Sequence, residues 1–354
     1  MLSEFKIKGF RCFKDFRVSS LRRVNVFSGL NNSGKTSLLE ALFLYFSPHN
    51  SQNFLRINGF RGIEQMSLDY DILFGGNFFN FDTSQNIILD GSDDNDLGLS
   101  YAVHFRTTPS VSLIMPQDLS KPSSVDNGKL KDMEIILKTE DHQEFFCSRL
   151  TMTGNGLKTE SNKDLAFQIK PGIFLSTAAR IPAENQKRFS DLSRKGNQGA
   201  LIDALKILEP RIKALEILEY GGTPLIHGDI GIGTKIPLQY MGDGILRLLS
   251  ILLAISDAPK GVVLVDELDS GLHYTALESV WKAIGKAASD NDVQVFATTH
   301  SRECVMSGHK AFSEKPDDFS FFRVDVDEDR QTRSLVPFDT EALEGALQFG
   351  YEVR

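Results

Sequence analysis

Cysteine is scarce in this sequence, with only Cys12, Cys147 and Cys304 among 354 residues. These cysteines are odd in number and far apart, which excludes a Cys-x-x-Cys zinc half-site and a small disulfide scaffold. Free thiols are typical of a reducing compartment, and we therefore expect a cytoplasmic protein.

Long hydrophobic stretches are also missing. The longest, such as Ala41–Phe46, are far shorter than the roughly 20 residues needed to cross a bilayer. The first 25 residues carry charge throughout, which is unlike the apolar core of a signal peptide. The sequence therefore predicts neither a membrane segment nor a membrane partner.

The chain has no sustained heptad pattern, no internal repeat and no low-complexity tract, so no long coiled coil is expected. An overall basic charge is missing too, because the net charge is -8. Residues 1–23 and 180–213 are locally rich in Lys and Arg. These basic clusters are either solvated faces of strands and helices or DNA contacts, and the sequence does not decide between the two. A content of 41% hydrophobic and 24% charged residues predicts a folded chain of one large domain or two.

Hydrophobic periodicity divides the chain into a β-rich part and an α/β part. The pattern predicts an α/β protein with an N-terminal lobe, residues 1–180, and a C-terminal lobe, residues 181–354. Strands are predicted at Phe5–Lys8, Val24–Ser28, Leu99–Phe105, Val111–Met115, Glu134–Lys138, Glu144–Leu150, Leu165–Lys170, Val262–Val265, Val293–Thr298, Phe319–Asp325 and Thr332–Val336. Helices are predicted at Thr36–Phe46, 183–219 with a break at Pro210, Ile245–Ser256 and Ala276–Ala288.

Residues 29–36 read Gly-Leu-Asn-Asn-Ser-Gly-Lys-Thr and fit the phosphate-loop pattern G-x-x-x-x-G-K-[ST]. A buried strand precedes the loop and a helix follows it, so backbone N–H groups and the helix N-terminus can surround a polyphosphate. Lys35 is expected to reach the β- and γ-phosphates, and the Thr36 hydroxyl to bind Mg²⁺. The alternative is a glycine-rich turn with an incidental lysine. The expected phosphate-binding residues are Gly29, Asn31, Asn32, Ser33, Gly34, Lys35, Thr36 and Ser37.

Two later strands end in polar residues. Val262–Val265 is followed by Asp266 and Glu267, and the strand that ends at Thr298 is followed closely by His300. Carboxyl ends of parallel strands are where α/β sheets bind ligands. Asp266 is expected to bind Mg²⁺ and Glu267 to orient or deprotonate water. His300 is expected to lie beside the γ-phosphate and sense it, or to polarise the attacking water. Without a phosphate loop in the chain, these would read as ordinary strand ends.

A third motif is the helix start Gly242-Asp243-Gly244. Exposed N–H groups at such a start form an anion site. A glycine turn that leads into an ordinary core helix fits the sequence equally well, so the motif alone does not decide between them.

The order of phosphate loop, Met-Gly-Asp-Gly helix start, Val-Asp-Glu strand, Asp-Ser-Gly-Leu-His turn and Thr-Thr-His strand resembles the heads of ABC-type ATPases. Within these it is similar to the RecF/SMC/OLD-like branch, over residues 1–47 and 220–310, and not to transporter subunits, whose Leu-Ser-Gly-Gly-Gln signature is missing. The resemblance implies a P-loop ATPase head with ATP and Mg²⁺. Its implied site residues are Arg11 as a phosphate contact, Gly242, Asp243 and Gly244 as the signature start, Leu272 and His273 in the D-loop, His300 as the switch histidine and Gln65 as the candidate Q-loop glutamine.

The resemblance further implies a homodimer, or a higher homo-oligomer, that encloses ATP and controls DNA processing or a partner effector, as in phage defence. Gly242 stands where the family usually has a serine. A slow-turnover scaffold that sequesters a nuclease or toxin is therefore kept as an alternative. Only 54 residues follow His300, too few for the Toprim nuclease of OLD proteins, so any nuclease is expected to be a separate partner. The acids at 325 and 327–329 are interpreted as a turn, not as a nuclease metal cluster.

Overall fold

The computed structural model describes residues 1–63, 74–93, 101–109, 131–153, 156–162, 170–177, 182–327 and 332–338, with Ala342, Leu343 and Gly345. The strands are β1 (Leu2–Phe10), β2 (Phe13–Val18), β3 (Val24–Ser28), β4 (Ile87–Asp93), β5 (Tyr101–Pro109), β6 (Lys131–Thr139), β7 (Glu144–Thr153), β8 (Gly156–Ser161), β9 (Gly172–Leu175), β10 (Ala214–Tyr220), β11 (Thr223–Asp229), β12 (Lys235–Pro237), β13 (Val262–Val265), β14 (Gln294–Thr298), β15 (Phe319–Asp327) and β16 (Thr332–Phe338). The α-helices are α1 (Lys35–Tyr45), α2 (Asn53–Gly59), α3 (Pro182–Arg194), α4 (Gln198–Leu205), α5 (Asp243–Asp257), α6 (Leu277–Asp290) and α7 (Arg302–Ala311).

The β-rich part forms an antiparallel sheet in the order β2-β1-β4-β5-β6-β7-β8. In β1, Phe5 and Ile7 are two residues apart and therefore lie on the same face, where both are buried. They pack in one hydrophobic core with the apolar residues of α1, and the Phe5 ring meets Tyr45 edge-on at 5.3 Å between centroids. The antiparallel sheet therefore covers one side of α1.

The second sheet contains the predicted buried strands, in the order β16-β15-β3-β14-β13-β9. β15, β3, β14, β13 and β9 run parallel, and β16 is antiparallel to β15. Leu264 of β13 packs in the core that contains α1, whereas its neighbour Val263 packs in the core that contains α5 and α6. Burial on both faces explains why these strands are continuous apolar runs. Their carboxyl ends lie at one edge of the sheet.

The α/β fold predicted from the sequence is confirmed. The strands predicted at Val24–Ser28 and Val262–Val265 are β3 and β13, and the helices predicted at Thr36–Phe46 and Ile245–Ser256 agree with α1 and α5 to within two residues at each end. β6 and β7 confirm two strands of the β-rich part, and the described part of Leu99–Phe105 lies in β5. The predicted strands at 111–115 and, except for Lys170, at 165–170 lie outside the described residues.

The helix predicted over 183–219 is wrong from residue 206 onward, because α4 ends at Leu205 and residues 206–213 form turns and a loop. Ala214–Tyr220 is strand β10, which pairs with β11 in an antiparallel hairpin. Gly221 and Gly222 form the turn with φ of 59° and 81°, a left-handed pair that only glycine adopts without strain. The Gly-Gly pair was the local signal for this hairpin.

The parallel sheet takes β3 and β9 from one side of residue 180 and β13 to β16 from the other. The division at residue 180 therefore stays a prediction about chain organisation. The longest described helix, α5, has 15 residues, so the described part of the chain contains no long coiled-coil arm. None of the helices in the described ranges has the length and apolar character required to span a bilayer.

Candidate nucleotide-binding site

The phosphate loop joins the end of β3 to the start of α1, as the sequence predicts. Gly29 and Gly34 have φ of 141° and 108°. A Cβ atom at Gly29 would lie 2.5 Å from the backbone oxygen of Val324, and one at Gly34 would lie 2.8 Å from the Cys12 sulfur. Glycine is therefore required at both positions, and the loop delivers its backbone directly to the N-terminus of α1, where anions bind.

Lys35 is buried, and its ammonium group hydrogen-bonds to the backbone of the loop that precedes it. Nζ donates to the backbone oxygens of Gly29 at 2.9 Å and Leu30 at 2.8 Å. Burial lowers the pKa of Lys35 to about 8, against the opposing effect of the negative charges of Asp266 and Glu267. The lysine therefore lies in a desolvated position where an added anion would favour its charged form.

Thr36 and Asp266 meet at the end of β13. Thr36 Oγ1 lies 3.1 and 3.2 Å from the two carboxylate oxygens of Asp266. A hydroxyl and a carboxylate are the hard oxygen ligands that Mg²⁺ prefers. The two residues predicted to bind the metal are thus adjacent, and their chemistry fits the ion. Within the described ranges, no three or more His, Cys, Asp or Glu side chains are grouped so that they could hold a metal ion.

Glu267 follows Asp266 in a left-handed backbone conformation, with φ of 50°. This conformation is strained for a residue with a Cβ, and such strain occurs at functional sites. The Glu267 N–H donates to Thr298 Oγ1 at 2.8 Å, and the same hydroxyl donates to Asp266 at 2.7 Å. The carboxyl-terminal residue of β14 therefore contacts both acids that follow β13.

His300 lies two residues beyond Thr298 and is partly exposed. Burial, and then the positive charge of Lys35, lower the pKa of His300, while Glu267, Asp269 and Asp266 act in the opposite direction. The imidazole is therefore neutral at pH 7 and can accept or donate a hydrogen bond. The charges of Lys35, Asp266 and Glu267 therefore all act on His300, whereas the convergence of these four side chains on one phosphate stays a prediction.

The glycine helix start packs against the turn that follows β13. A Cβ at Gly244 would lie 2.6 Å from the backbone oxygen of Gly271, so these two segments approach with no room for a side chain. Arg247, one turn into α5, donates to the backbone oxygens of Asp266 and, at 3.1 Å, of Glu267. Gly242 and Asp243 are exposed, as is His273 in the same turn. The helix start is therefore held next to Asp266 and Glu267 by hydrogen bonds from the Arg247 side chain to their backbone oxygens.

Arg11 is adjacent to the loop, but its contacts differ from the phosphate contact that the resemblance implies. Its Nε lies 3.1 Å from Glu40, and its Nη2 donates to Asn58 at 3.3 Å. Burial lowers the pKa of Arg11 to about 10. Its guanidinium is thus committed to protein partners, and a phosphate contact stays a prediction.

The remaining predicted residues divide into three groups. In the loop, Asn31 and Asn32 are exposed and Ser33 is buried. Ser37 accepts a hydrogen bond from Arg61 at 3.0 Å, an arginine that also pairs with buried Glu40. Gln65 and the acids at 328 and 329 lie outside the described residues. Asp325 forms an ion pair with Arg323, and both residues belong to β15.

Sequence reasoning did not assign roles to Thr298, Arg247 or the pair of Glu40 and Arg61. Thr298 had a usable signal, because a hydroxyl at the carboxyl end of a buried parallel strand lies at the ligand edge of the sheet. Arg247 and Glu40 had none, since each acquires its contacts only through the tertiary fold.

A phosphate loop after β3, two acids after β13 of the same parallel sheet and a glycine helix start packed against the turn that follows them define an AAA/ABC-type ATPase. Residues 24–305 match the family described as "AAA domain, putative AbiEii toxin, Type IV TA system", and the chain belongs to that family. The resemblance stated from the sequence motifs is thereby confirmed.

Two relatives and one solved structure extend this comparison. An ATP/GTP phosphatase of Helicobacter pylori is 24% identical over 328 residues, which cover 86% of each chain. An uncharacterised protein of Methanocaldococcus jannaschii is 37% identical over 65 residues, which cover 18% of this chain and 57% of that protein. An Smc head bound to the C-winged helix domain of ScpA aligns with a TM-score of 0.51 at 13% identity, covering 98% of this chain and 99% of that one. The last similarity shows a shared fold.

Proposed function

We propose that this ATPase is a switch: two copies close around ATP and Mg²⁺, and hydrolysis releases them to control a partner effector or DNA processing. The contact of 3.1 Å between Thr36 and Asp266 carries the proposal, because it joins the phosphate loop to the strand-end acids in one site. The relative named ATP/GTP phosphatase supports a nucleoside triphosphate as the substrate.

The roles of the residues follow from their chemistry. The loop N–H groups and Lys35 bind the triphosphate, and Thr36 with Asp266 holds Mg²⁺, which would neutralise charge on the phosphates when bound. Glu267 orients the attacking water and accepts its proton as the water oxygen bonds to the γ-phosphorus and the bond to the β-phosphate oxygen breaks. His300 hydrogen-bonds beside the γ-phosphate.

Exposed apolar side chains support a second copy as the element that covers this site. Leu30, Tyr240 and Tyr274 are 70%, 68% and 62% exposed. Each belongs to, or lies beside, one of the site segments: the phosphate loop, the helix start and the turn after β13. In the proposed dimer, Gly242 and Gly244 of each copy face the nucleotide of the other. Large apolar side chains around a functional surface are typical of an interface.

The dimer is tested by light scattering of the purified chain with and without Mg²⁺ and ATP. We expect ATP-dependent dimers that persist in Glu267→Gln, which retains the loop but loses the base, and that are absent in Lys35→Ala. The control is Lys286→Ala, which removes an exposed surface lysine on α6 and leaves dimerisation unchanged. Equal dimerisation of Glu267→Gln and Lys35→Ala, or none with ATP in any variant, would contradict the switch model.

ATP affinity is expected to depend on pH through Lys35. Its pKa is about 8 in the folded protein and 10.5 as a free side chain, so the ammonium loses its proton above pH 8 in the folded chain. ATP prefers the charged form, and affinity should fall up to about tenfold per pH unit above pH 8, with proton uptake on binding. The same linkage makes the buried ammonium cost folding stability below pH 8 and relieves that cost as the pH rises toward 10.5.

Calorimetric titration of ATP between pH 7 and 9.5 measures this dependence, with Lys35→Arg as the matched variant. An arginine stays protonated over that range, so its affinity should be flat. The same slope in both proteins would assign the pH effect to another group.

A slow-turnover scaffold is the second candidate, and Gly242 is the observation that favours it. This residue lacks the hydroxyl that the signature serine would offer, although a Cβ at this position would meet no atom within 4 Å. The family description names a putative toxin of a Type IV toxin–antitoxin system. In the scaffold model, the chain would hold a separate toxin or nuclease. ATP-bound dimers that form but hydrolyse ATP no faster than Glu267→Gln would favour the scaffold.

A further inference from the structure

One hydroxyl group contacts both acids of the site. Thr298 Oγ1 donates to Asp266 Oδ1 at 2.7 Å and accepts from the Glu267 N–H at 2.8 Å. Thr298 is 1% exposed, so water does not replace either bond when the hydroxyl is lost. A hydroxyl can donate one bond and accept another, which the other β-branched residues, valine and isoleucine, cannot do.

The second bond reaches a strained part of the backbone. Glu267 has φ of 50°, a conformation that costs free energy unless surrounding contacts fix it. The Thr298 hydroxyl fixes the N–H of that residue, and Arg247 binds its backbone oxygen at 3.1 Å. The direction of the Glu267 side chain therefore depends on groups from two other elements, β14 and α5.

The first bond orients the acid on the metal side. The Asp266 oxygen that accepts from Thr298 is also 3.1 Å from Thr36 Oγ1. A group bound to one carboxylate oxygen limits the rotation of that carboxylate, which is how residues outside the ligand set orient a metal ligand.

We infer that Thr298 is a positioning residue for ATP hydrolysis: its hydroxyl fixes the metal-binding carboxylate of Asp266 and the backbone that aims Glu267, and so sets their relative geometry. The inference rests on the proposed roles of Asp266 and Glu267. It concerns the rate of the chemical step, because the triphosphate contacts of the phosphate loop do not pass through Thr298.

The test is steady-state kinetics of Thr298→Val, which keeps the shape and removes the hydroxyl. Since a small misplacement of reacting groups costs up to about 100-fold, we expect kcat to fall about 10- to 100-fold with KM for ATP within about threefold. Thr298→Ser restores the hydroxyl and should return kcat to within about threefold of the unchanged protein.

Thr299→Val is the matched control. The neighbouring hydroxyl is equally buried, but it donates to Asp269 at 2.6 Å and not to either acid of the site. Both valine variants lose two buried hydrogen bonds and should lower Tm similarly, yet only Thr298→Val should lower kcat more than about threefold. A similar kcat loss in both would show that Thr298 is merely structural.

A double variant separates this inference from the proposed function. If Thr298 acts through Glu267, adding Thr298→Val to Glu267→Gln should lower kcat little further, since the two changes remove the same contribution. An unchanged kcat in Thr298→Val alone would overturn the positioning role while leaving the ATPase proposal intact, and full additivity would overturn the part of the inference that acts through Glu267. Wild-type activity in Glu267→Gln would overturn the proposed role of Glu267 as the base and, with it, the positioning of Glu267 by Thr298.

Discussion

Replacing Glu267 with glutamine is expected to lower kcat for ATP hydrolysis by about 10²–10⁴-fold, the usual contribution of a general base. Glutamine keeps the size and hydrogen-bonding capacity of the side chain but cannot accept a proton. The backbone contacts of this residue with Thr298 and Arg247 do not involve the carboxylate, so the fold and the ATP affinity should be retained. Phosphate release assays and ATP titrations measure the two quantities separately.

Glu314→Gln provides the comparison, because it removes one exposed carboxylate in the turn between α7 and β15, outside the site motifs. Its kcat should equal that of the unchanged protein. If Glu267→Gln hydrolyses ATP at the same rate as Glu314→Gln, the water-activating group lies elsewhere. If its ATP affinity falls while its kcat is unchanged, Glu267 contributes to binding and not to the chemical step.

The sequence predicts those parts of the site that one segment carries by itself. The phosphate loop is such a part, since Gly29, Gly34 and Lys35 follow a buried strand and precede a helix within a dozen residues. The apolar runs before Asp266 and His300 likewise predict parallel strands, and parallel strands bring their carboxyl ends to one edge. Local pattern and the rules of sheet topology were sufficient for these residues.

Contacts between distant segments were beyond that reasoning. Thr36 and Asp266 are 230 residues apart in the chain, and the sequence predicts that both bind a metal but not that their oxygens lie in hydrogen-bonding distance. Arg11 also depends on a contact between distant segments, but here the contact differs from the one expected. It lies beside the loop as the family resemblance implies, but buried Glu40 on α1 provides a carboxylate partner that no local pattern indicates.

The hairpin after α4 illustrates a different limit. Leu215 and Ile217 alternate in the manner of a strand, but the same residues also fit the period of the preceding helix. Tertiary pairing with β11 decides between the two, and the Gly221-Gly222 turn makes that pairing possible. Short apolar segments are ambiguous between helix and strand unless the turn residues are weighed with them.

Gly29→Ala is the second variant with a large expected effect, and it acts on folding and binding together. The added Cβ would lie 2.5 Å from the backbone oxygen of Val324, which belongs to β15 and cannot rotate away as a side chain would. We expect a cost of about 2–5 kcal/mol from overpacking and from the positive φ of 141°. That cost corresponds to a Tm lowered by about 3–7 °C, and displacement of the loop should abolish measurable ATP binding.

Gly222→Ala isolates the contribution of the close approach. Gly222 also has a positive φ, 81°, but a Cβ there meets no atom within 4 Å. This variant should lose only about 1–2 kcal/mol from backbone strain and should bind ATP normally. Calorimetric unfolding and ATP titration of both variants test the argument. Equal Tm shifts with ATP binding retained in Gly29→Ala would mean that the loop can move away from β15, and that contact with Val324 does not fix the shape that holds the triphosphate.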